Sequence, residues 1–271
     1  MSDVLLVKLA FSFYLMAVLL DLLRFFVKSK AVFRFSFIFS SAAFVLHTMA
    51  IILRWAQSGH VPLASFYESL IFFSWTIVLI NLVVEIKYAS RDLRIFLLPL
   101  GSLVLATALF SPLICPAIEP LPPVLKSRWL VVHVSTCLIG YAAFAAAFAL
   151  GLLHFFKKIA AGSKGLTLAA QALLSINVWI YRFSRWGFFF LAIGIVTGAA
   201  WAYGAWGAYW SWDPKETCSL ITLLIYAAIL HLRRFGWGKR NLPALLSVVG
   251  FFFVLLTYWA SFVFSSQHNY N

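Results

Sequence analysis

Residues 129–156, WLVVHVSTCLIGYAAFAAAFALGLLHFF, run from Arg128 to Lys157 without one Asp, Glu, Lys or Arg. As a helix this stretch rises about 42 Å, more than the roughly 30 Å of hydrocarbon in a bilayer. It therefore reads as a membrane span. Seven further apolar runs lie around it, at about 4–26, 34–54, 68–87, 95–111, 186–206, 217–234 and 243–264, each bounded by charge, Pro or Gly. The predicted fold is an all-α polytopic membrane protein with about eight transmembrane helices, forming one membrane domain over 1–271.

Composition agrees with this. The 271 residues are 63% hydrophobic and 11% charged, where a soluble domain carries about a quarter charged residues. The net charge of +13 would suggest nucleic acid in a soluble protein. Here the basic residues flank apolar spans, so they set topology and meet anionic membrane lipid, and no nucleic acid is expected. Met1 to Asp3 lacks a basic leader and the first apolar run is long enough to span, so no cleaved signal is expected. Cys115, Cys137 and Cys218 form no CxxC and no CxxCH. They predict no disulfide scaffold, zinc site or covalently bound c-type heme.

Sixteen of the 21 Lys and Arg fall on one set of loops and helix ends; Lys8, Arg54, Lys126, Arg128 and Lys215 fall on the other. The richer side is read as cytoplasmic, which puts both termini outside. Residues 157–185 form the longest inner connection. Their apolar part is short, carries Gln171, Ser175 and Asn177, and has basic residues at both ends. It is read as a cytoplasmic-side loop containing a short amphipathic helix on the inner surface.

Between the sixth and seventh spans lies a tryptophan-rich outer loop, 201–217, WAYGAWGAYWSWDPKET. Trp201, Tyr203, Trp206, Tyr209, Trp210 and Trp212 crowd into its first twelve residues. Such a cluster is either an interfacial aromatic belt or the wall of a pocket for a flat, apolar ligand such as a porphyrin. Asp213, Pro214 and Glu216 have the order of an N-cap, N1 and N3, and predict the start of the next helix.

Six histidines are present, and a histidine inside a membrane span is either packed and hydrogen-bonded or functional. His133 lies just inside the outer end of the fifth span, and His268 a few residues past the outer end of the eighth. Chain parity puts both on the side of the tryptophan loop, where two imidazoles have the chemistry to fill both axial positions of a heme iron. His231, fourteen residues after Thr217, is about 21 Å further along its helix. It cannot join that cluster, and either snorkels beside Arg233 and Arg234 or binds elsewhere. His47 and His154 are read as structural, and His60 either as a loop hydrogen-bonder or as part of the outer site.

The stretch WGAYWSWDPKET (206–217) resembles the WWD motif of heme-handling proteins, in the form of the CcsA/ResC-type branch of cytochrome c biogenesis (System II). RWAQSGHVPLASFYESL (54–70), 194–202 and Leu230 to Arg233 are similar to that family too, so the resemblance covers most of 50–271. Cys218 departs from it, standing where relatives commonly have Trp. The resemblance implies a heme b site formed by Trp201, Trp206, Tyr209, Trp210, Trp212 and Asp213, with His133 and His268 as axial ligands. It also implies that His231 holds heme in transit opposite a histidine of a Ccs1/ResB-type membrane subunit. The implied activity is that of a holocytochrome c synthase (cytochrome c heme lyase), working as a complex with that partner. Cysteine thiols of CxxCH in apocytochrome c join the heme vinyl groups as thioethers, and no side chain here is assigned as acid or base. The alternative is a relay that moves heme outward without attaching it. The implied location is the bacterial cytoplasmic membrane with the site facing the periplasm, or a thylakoid membrane.

Overall fold

The computed structural model describes residues 2–23, 26–27, 29–88, 93–236 and 241–263, with side chains for all of these except 88, 163–169 and 261–263. Among the described residues the chain is helical and contains no strand. The helices are α1 (Asp3–Leu23), α2 (Lys30–Ser58), α3 (Phe66–Tyr88), α4 (Arg94–Phe110), α5 (Arg128–Gly162), α6 (Ala170–Trp206), α7 (Pro214–Arg234) and α8 (Leu242–Val263). Seven are long and apolar enough to cross a membrane, and α4 is a shorter apolar helix. The chain is an integral, multi-pass membrane protein.

Two compact units divide the chain, Met1–Lys126 and Ser127–Asn271. Each is a bundle of four helices. In the first, α1 packs on α2 and α4, and α3 packs on α2 and α4. α2 shows which solvent these bundles are built for. Its buried stripe is Ser36, Ser40, Ala43, His47, Ala50 and Arg54, whereas Ile38, Val45, Met49 and Ile52 point outward. Polar and small residues inside, with branched apolar residues outside, is the pattern expected of a helix packed in lipid.

Both ends of this first bundle are closed by a buried arginine. At one end Arg94, at the start of α4, donates to Asp21 (2.5 Å) from α1, Glu85 (2.5 Å) from α3 and the Ser36 carbonyl (2.9 Å) of α2. At the other, Arg54 donates to Asp3 (2.8 Å), Glu68 (2.8 Å) and the carbonyls of Pro116 (2.9 Å) and Ala117 (3.3 Å). Glu68 is also half of a reciprocal capping box: its Oε2 accepts from Ser65 N, and its own N–H donates to Ser65 Oγ. The block 54–70 singled out in the sequence is thus an ion pair joined to a helix start.

In the second bundle α5 is the central helix, with Ala142, Ala145, Ala146, Ala147 and Ala149 fully buried. Small residues allow close approach. A Cβ on Gly151 would stand 2.9 Å from the Ala244 carbonyl of α8, and one on Gly140 3.1 Å from the Gly187 carbonyl of α6. Phe144 stacks on Tyr226 of α7 and Phe148 on Phe251 of α8. Phe144 meets Gly187 and His133 meets Gly198, so α6 is antiparallel to α5; Gly151 meets Ala244 and Phe148 meets Phe251, so α8 is too.

The connection 157–185 differs from the expected loop with a separate surface helix. The backbone breaks at Gly162 (φ 57°, ψ −171°), and α6 then continues unbroken into the span predicted at 186–206. No Gly or Pro falls between Ala170 and Trp186 to stop it. Its 37 residues rise about 55 Å, well beyond one bilayer core. Ile176, Ile180, Ser184 and Leu191 are buried along one continuous stripe, so the amphipathic segment is the extension of a spanning helix.

The buried arginines generate a stability prediction. Arg94→Ala leaves two carboxylates without their cation and is expected to cost about 3–5 kcal/mol. Arg94→Lys, a point charge without the guanidinium fork, is expected to fall between wild type and Arg94→Ala. Thermal unfolding of the detergent-purified protein checks the order; equal melting temperatures for all three would contradict it.

Candidate functional site

His133 is set by two glycines of the neighbouring helix. Its Nδ1–H donates to the Gly194 carbonyl at 2.7 Å. A Cβ on Gly198 would lie 2.5 Å from the same nitrogen. Gly194 and Gly198 stand one turn apart on α6, so together they form a slot that the half-buried imidazole fills. A carbonyl only accepts, so this contact places the ring proton on Nδ1 and the lone pair on Nε2 in the neutral imidazole. Metal-bound histidines are commonly held in this way, by a backbone carbonyl at the second nitrogen.

Three residues beyond Gly198 comes Trp201, the first residue of the tryptophan-rich stretch, 3% exposed. It meets Trp206 edge-on at 5.5 Å. Gly207 ends α6 in the left-handed region (φ 77°), its N–H donating to Tyr203 O. Tyr203 and Tyr209 stack at 4.3 Å and 7°, and Trp210 meets Trp212 edge-on at 5.7 Å. The indoles of Trp206 and Trp212 and the phenol of Tyr209 are exposed, at 37%, 68% and 59%. A broad aromatic surface therefore lies open beside a buried indole.

The loop is held from α7. Asp213 is its N-cap, accepting from Glu216 N at 2.7 Å, with Pro214 in the first turn. Glu216 reaches back past the cap, its Oε2 accepting from Ser211 N (2.7 Å) and Ser211 Oγ (3.3 Å). Thr217 Oγ1 donates to the Trp212 carbonyl at 3.3 Å. Among the described residues, Trp212 is the one non-glycine residue with positive φ (61°), a conformation that bulky side chains rarely adopt. Trp210 Nε1 is buried with no hydrogen-bond acceptor.

The structure therefore brings His133, Trp201, Trp206, Tyr209, Trp210, Trp212 and Asp213 to one end of the second bundle. His268 lies outside the described residues. α8, antiparallel to α5, runs toward the His133 end and is described to Val263. His231 sits apart, eighteen residues or about 27 Å beyond Asp213 along α7. It is exposed, with its Nδ1–H on the Ala227 carbonyl at 2.8 Å, and so shows the same ring orientation logic as His133. Near it at that end, Arg233 covers the Tyr181 ring. His154 pairs with Asn241, His60 with the Val61 carbonyl, and His47 lies 3.5 Å from the Tyr14 hydroxyl. Gly194, Gly198 and Ser211 belong to the site as positioning residues that were given no individual role, and Glu216, expected at N3, also reaches back to Ser211. The GxxxG spacing of Gly194 and Gly198 was the available signal.

Among the described residues no three His, Cys, Asp or Glu side chains converge as a cage for a bare metal ion. A macrocycle that brings its own equatorial nitrogens needs only axial imidazoles and a flat apolar wall. Among the described residues, His133 and the aromatic wall suit such a group.

A family described as "Cytochrome C assembly protein" matches residues 63–267. The chain is 39% identical to a "Cytochrome c biogenesis protein CcsA" of Synechococcus sp. (strain CC9605), over 80% of each chain. It is 36% identical to the protein of that name from Prochlorococcus marinus (strain MIT 9303), over 78% of this chain and 76% of the relative. Its fold is similar to that of a solved "Cytochrome c Heme Lyase CcmF", with TM-score 0.69, 21% identity and 96% of this chain covered. The chain spans 46% of that longer protein. With the helical order, the tryptophan-rich stretch and these matches together, the chain belongs to the cytochrome c assembly family and is of CcsA type.

Proposed function

We propose that this protein binds heme b at the aromatic end of its second bundle and presents it for covalent attachment to CxxCH of an apocytochrome c. The observation that carries the proposal is the His133 slot: an imidazole whose Nδ1 is committed to a backbone carbonyl turns Nε2 into the ligating nitrogen, beside an open wall of indoles. His133 and His268 would hold the heme iron. Trp201, Trp206, Tyr209, Trp210 and Trp212 shield the ring face, and Asp213 fixes the loop that carries them. The bound heme supplies the electrophilic vinyl carbons. The chemistry is addition of each peptide thiol across a vinyl C=C, with sulfur bonding to one carbon and a proton to the other; thiolate is the nucleophile. The protein's share is orientation and exclusion of water.

A Ccs1/ResB-type membrane subunit is the proposed partner, acting at His231. That imidazole faces outward from α7 at the opposite end of the bundle, where a second ligand from a neighbouring chain would complete a transit site. On this proposal the membrane is a bacterial cytoplasmic or thylakoid membrane, with the tryptophan loop on the outer side.

Co-expression with the partner and an apocytochrome bearing CxxCH tests the function. Heme that stays on the target through denaturing electrophoresis is the expected result. Heme binding without a covalent product would reassign the chain to a relay, and absence of a Soret band under heme-replete conditions would remove both. Within the site, His133→Ala is expected to lower heme occupancy at the outer end, with partial restoration by added imidazole. Gly198→Ala, which forces the ring from its slot, should lower occupancy about tenfold. Gly204→Ala, where a Cβ meets nothing within 4 Å, should leave it unchanged, and a matching loss there would refute the slot. Orientation is checked in a background without native cysteines. A membrane-impermeant thiol reagent should label Ser211→Cys from outside and not Phe235→Cys.

A further inference from the structure

The second bundle is basic at the end opposite the tryptophan loop, and the chain supplies no counter-charge there. Residues 127–271 hold eleven Lys and Arg against two carboxylate side chains, Asp213 and Glu216. Both carboxylates belong to the loop and the first turn of α7. At the other end of the bundle three guanidiniums lie over aromatic rings: Arg182 over Trp179 (4.7 Å), Arg185 over Trp186 (5.8 Å) and Arg233 of α7 over Tyr181 (4.4 Å). Arg182 and Arg185 are three residues apart on α6, and Tyr181 is one turn from Arg185, so these side chains are surface neighbours. By covering Tyr181, Arg233 joins them at the same level from the next helix. All three arginines are exposed, and none has a carboxylate of the described residues within 4 Å.

The depth of this cluster follows from α6. Trp186 precedes Trp206 by twenty residues, about 30 Å of helix, which is the thickness of one hydrocarbon core. Both indoles are exposed, at 52% and 37%, as interfacial anchors at the two ends of a span are. Arg182 and Arg185 then stand in the headgroup layer, at the level of lipid phosphates. A guanidinium stacked on a ring keeps its N–H edge free for paired bonds to a phosphate. The stacking also restricts the side chain before the ligand arrives, which lowers the cost of binding. We propose that Arg182, Arg185 and Arg233 form a seat for the phosphate of an anionic phospholipid. One headgroup there would supply the missing negative charge and tie α6 to α7, the two helices that carry the tryptophan loop between them. An acidic peptide bears the same charge, but the phosphate depth and the exposed Trp186 at the acyl boundary favour lipid.

The test titrates the full chain in detergent with phosphatidylglycerol or phosphatidylcholine of matched acyl chains, and counts bound lipid by native mass spectrometry. Wild type should bind phosphatidylglycerol about tenfold more tightly or better. Loss of one arginine charge near a lipid surface costs about fivefold. The double variant Arg182→Gln/Arg185→Gln should therefore lose about twentyfold for phosphatidylglycerol and nothing for phosphatidylcholine. Arg182→Lys/Arg185→Lys keeps the charge without the fork or the stacking and should fall between. Lys157→Gln/Lys158→Gln removes the same charge from α5 at that end of the bundle, and should change binding by no more than about twofold. An equal loss in the lysine variant would show a diffuse field and no seat. Equal affinity of wild type for both lipids would leave the patch to an acidic partner chain. Either result overturns the inference.

Discussion

A chain dissolved in hydrocarbon has no water to satisfy its polar groups, and every structural choice in this protein answers to that. Helices close the backbone hydrogen bonds internally. Side chains that cannot do so are driven together, which is why Arg54 and Arg94, 1% and 0% exposed, each sit between two carboxylates from different helices. Neither cluster is a surface salt bridge of marginal value. Arg54 of α2 spends its fork on carboxylates of α1 and α3 and carbonyls of the segment after α4, and Arg94 at the start of α4 on carboxylates of α1 and α3 and oxygens of α2. One residue thereby holds one end of a four-helix bundle in register. These contacts are enthalpic and directional, where burial of apolar surface gives little direction in lipid.

The second bundle meets the same constraint with small residues. Gly140, Gly187, Gly194 and Gly198 bring α5 and α6 close enough for side chains to nest against backbone. At one level of the bundle this close approach is used for Phe144 against Gly187, and at the tryptophan-loop end for His133 against Gly194 and Gly198. The imidazole is thus a packing element and a candidate ligand at once. Its orientation does not depend on a mobile second side chain, because the acceptor is a helix carbonyl already fixed by its own turn. Rigid placement of this kind lowers the ordering cost when a ligand binds.

Much of this was legible in the sequence, and the failures share a cause. Length and charge spacing located six of the eight helices to within about four residues at either end, missing the end of α5 and the start of α6, and Asp213-Pro-Lys-Glu216 announced the start of α7. The aromatic run marked the stretch whose rings the structure leaves largely exposed. The extension of α6 was not legible, because basic residues at both ends and scattered polar residues are equally a surface helix and a spanning helix that projects from the bilayer; only the break at Gly162 decides. Arg54 and Arg94 entered the topology count as loop charges, yet both are buried. Excluding them leaves the bias at fifteen against four, so the count was robust to an error that hid the ion pairs. Pairing of Asp3 with Arg54, or Asp21 with Arg94, spans 51 and 73 residues. No local pattern reveals a partner at that range.

The tryptophan loop carries the last consequence of building a site in this solvent. Trp212 sits at φ 61°, a strained conformation that costs roughly 1–3 kcal/mol and persists only where neighbours over-determine it. Those neighbours are Glu216, gripping Ser211 through both N–H and hydroxyl, Thr217, donating to the Trp212 carbonyl, and Asp213, capping the helix between them. Every one belongs to the first turn of α7. The presentation of the exposed indole is therefore tied to a transmembrane helix and not to the loop's own flexibility. A motif in which the aromatic residues come first and the capping residues follow directly is the shortest sequence that achieves this, since the residues that display the ring surface and those that lock it are one helical turn apart.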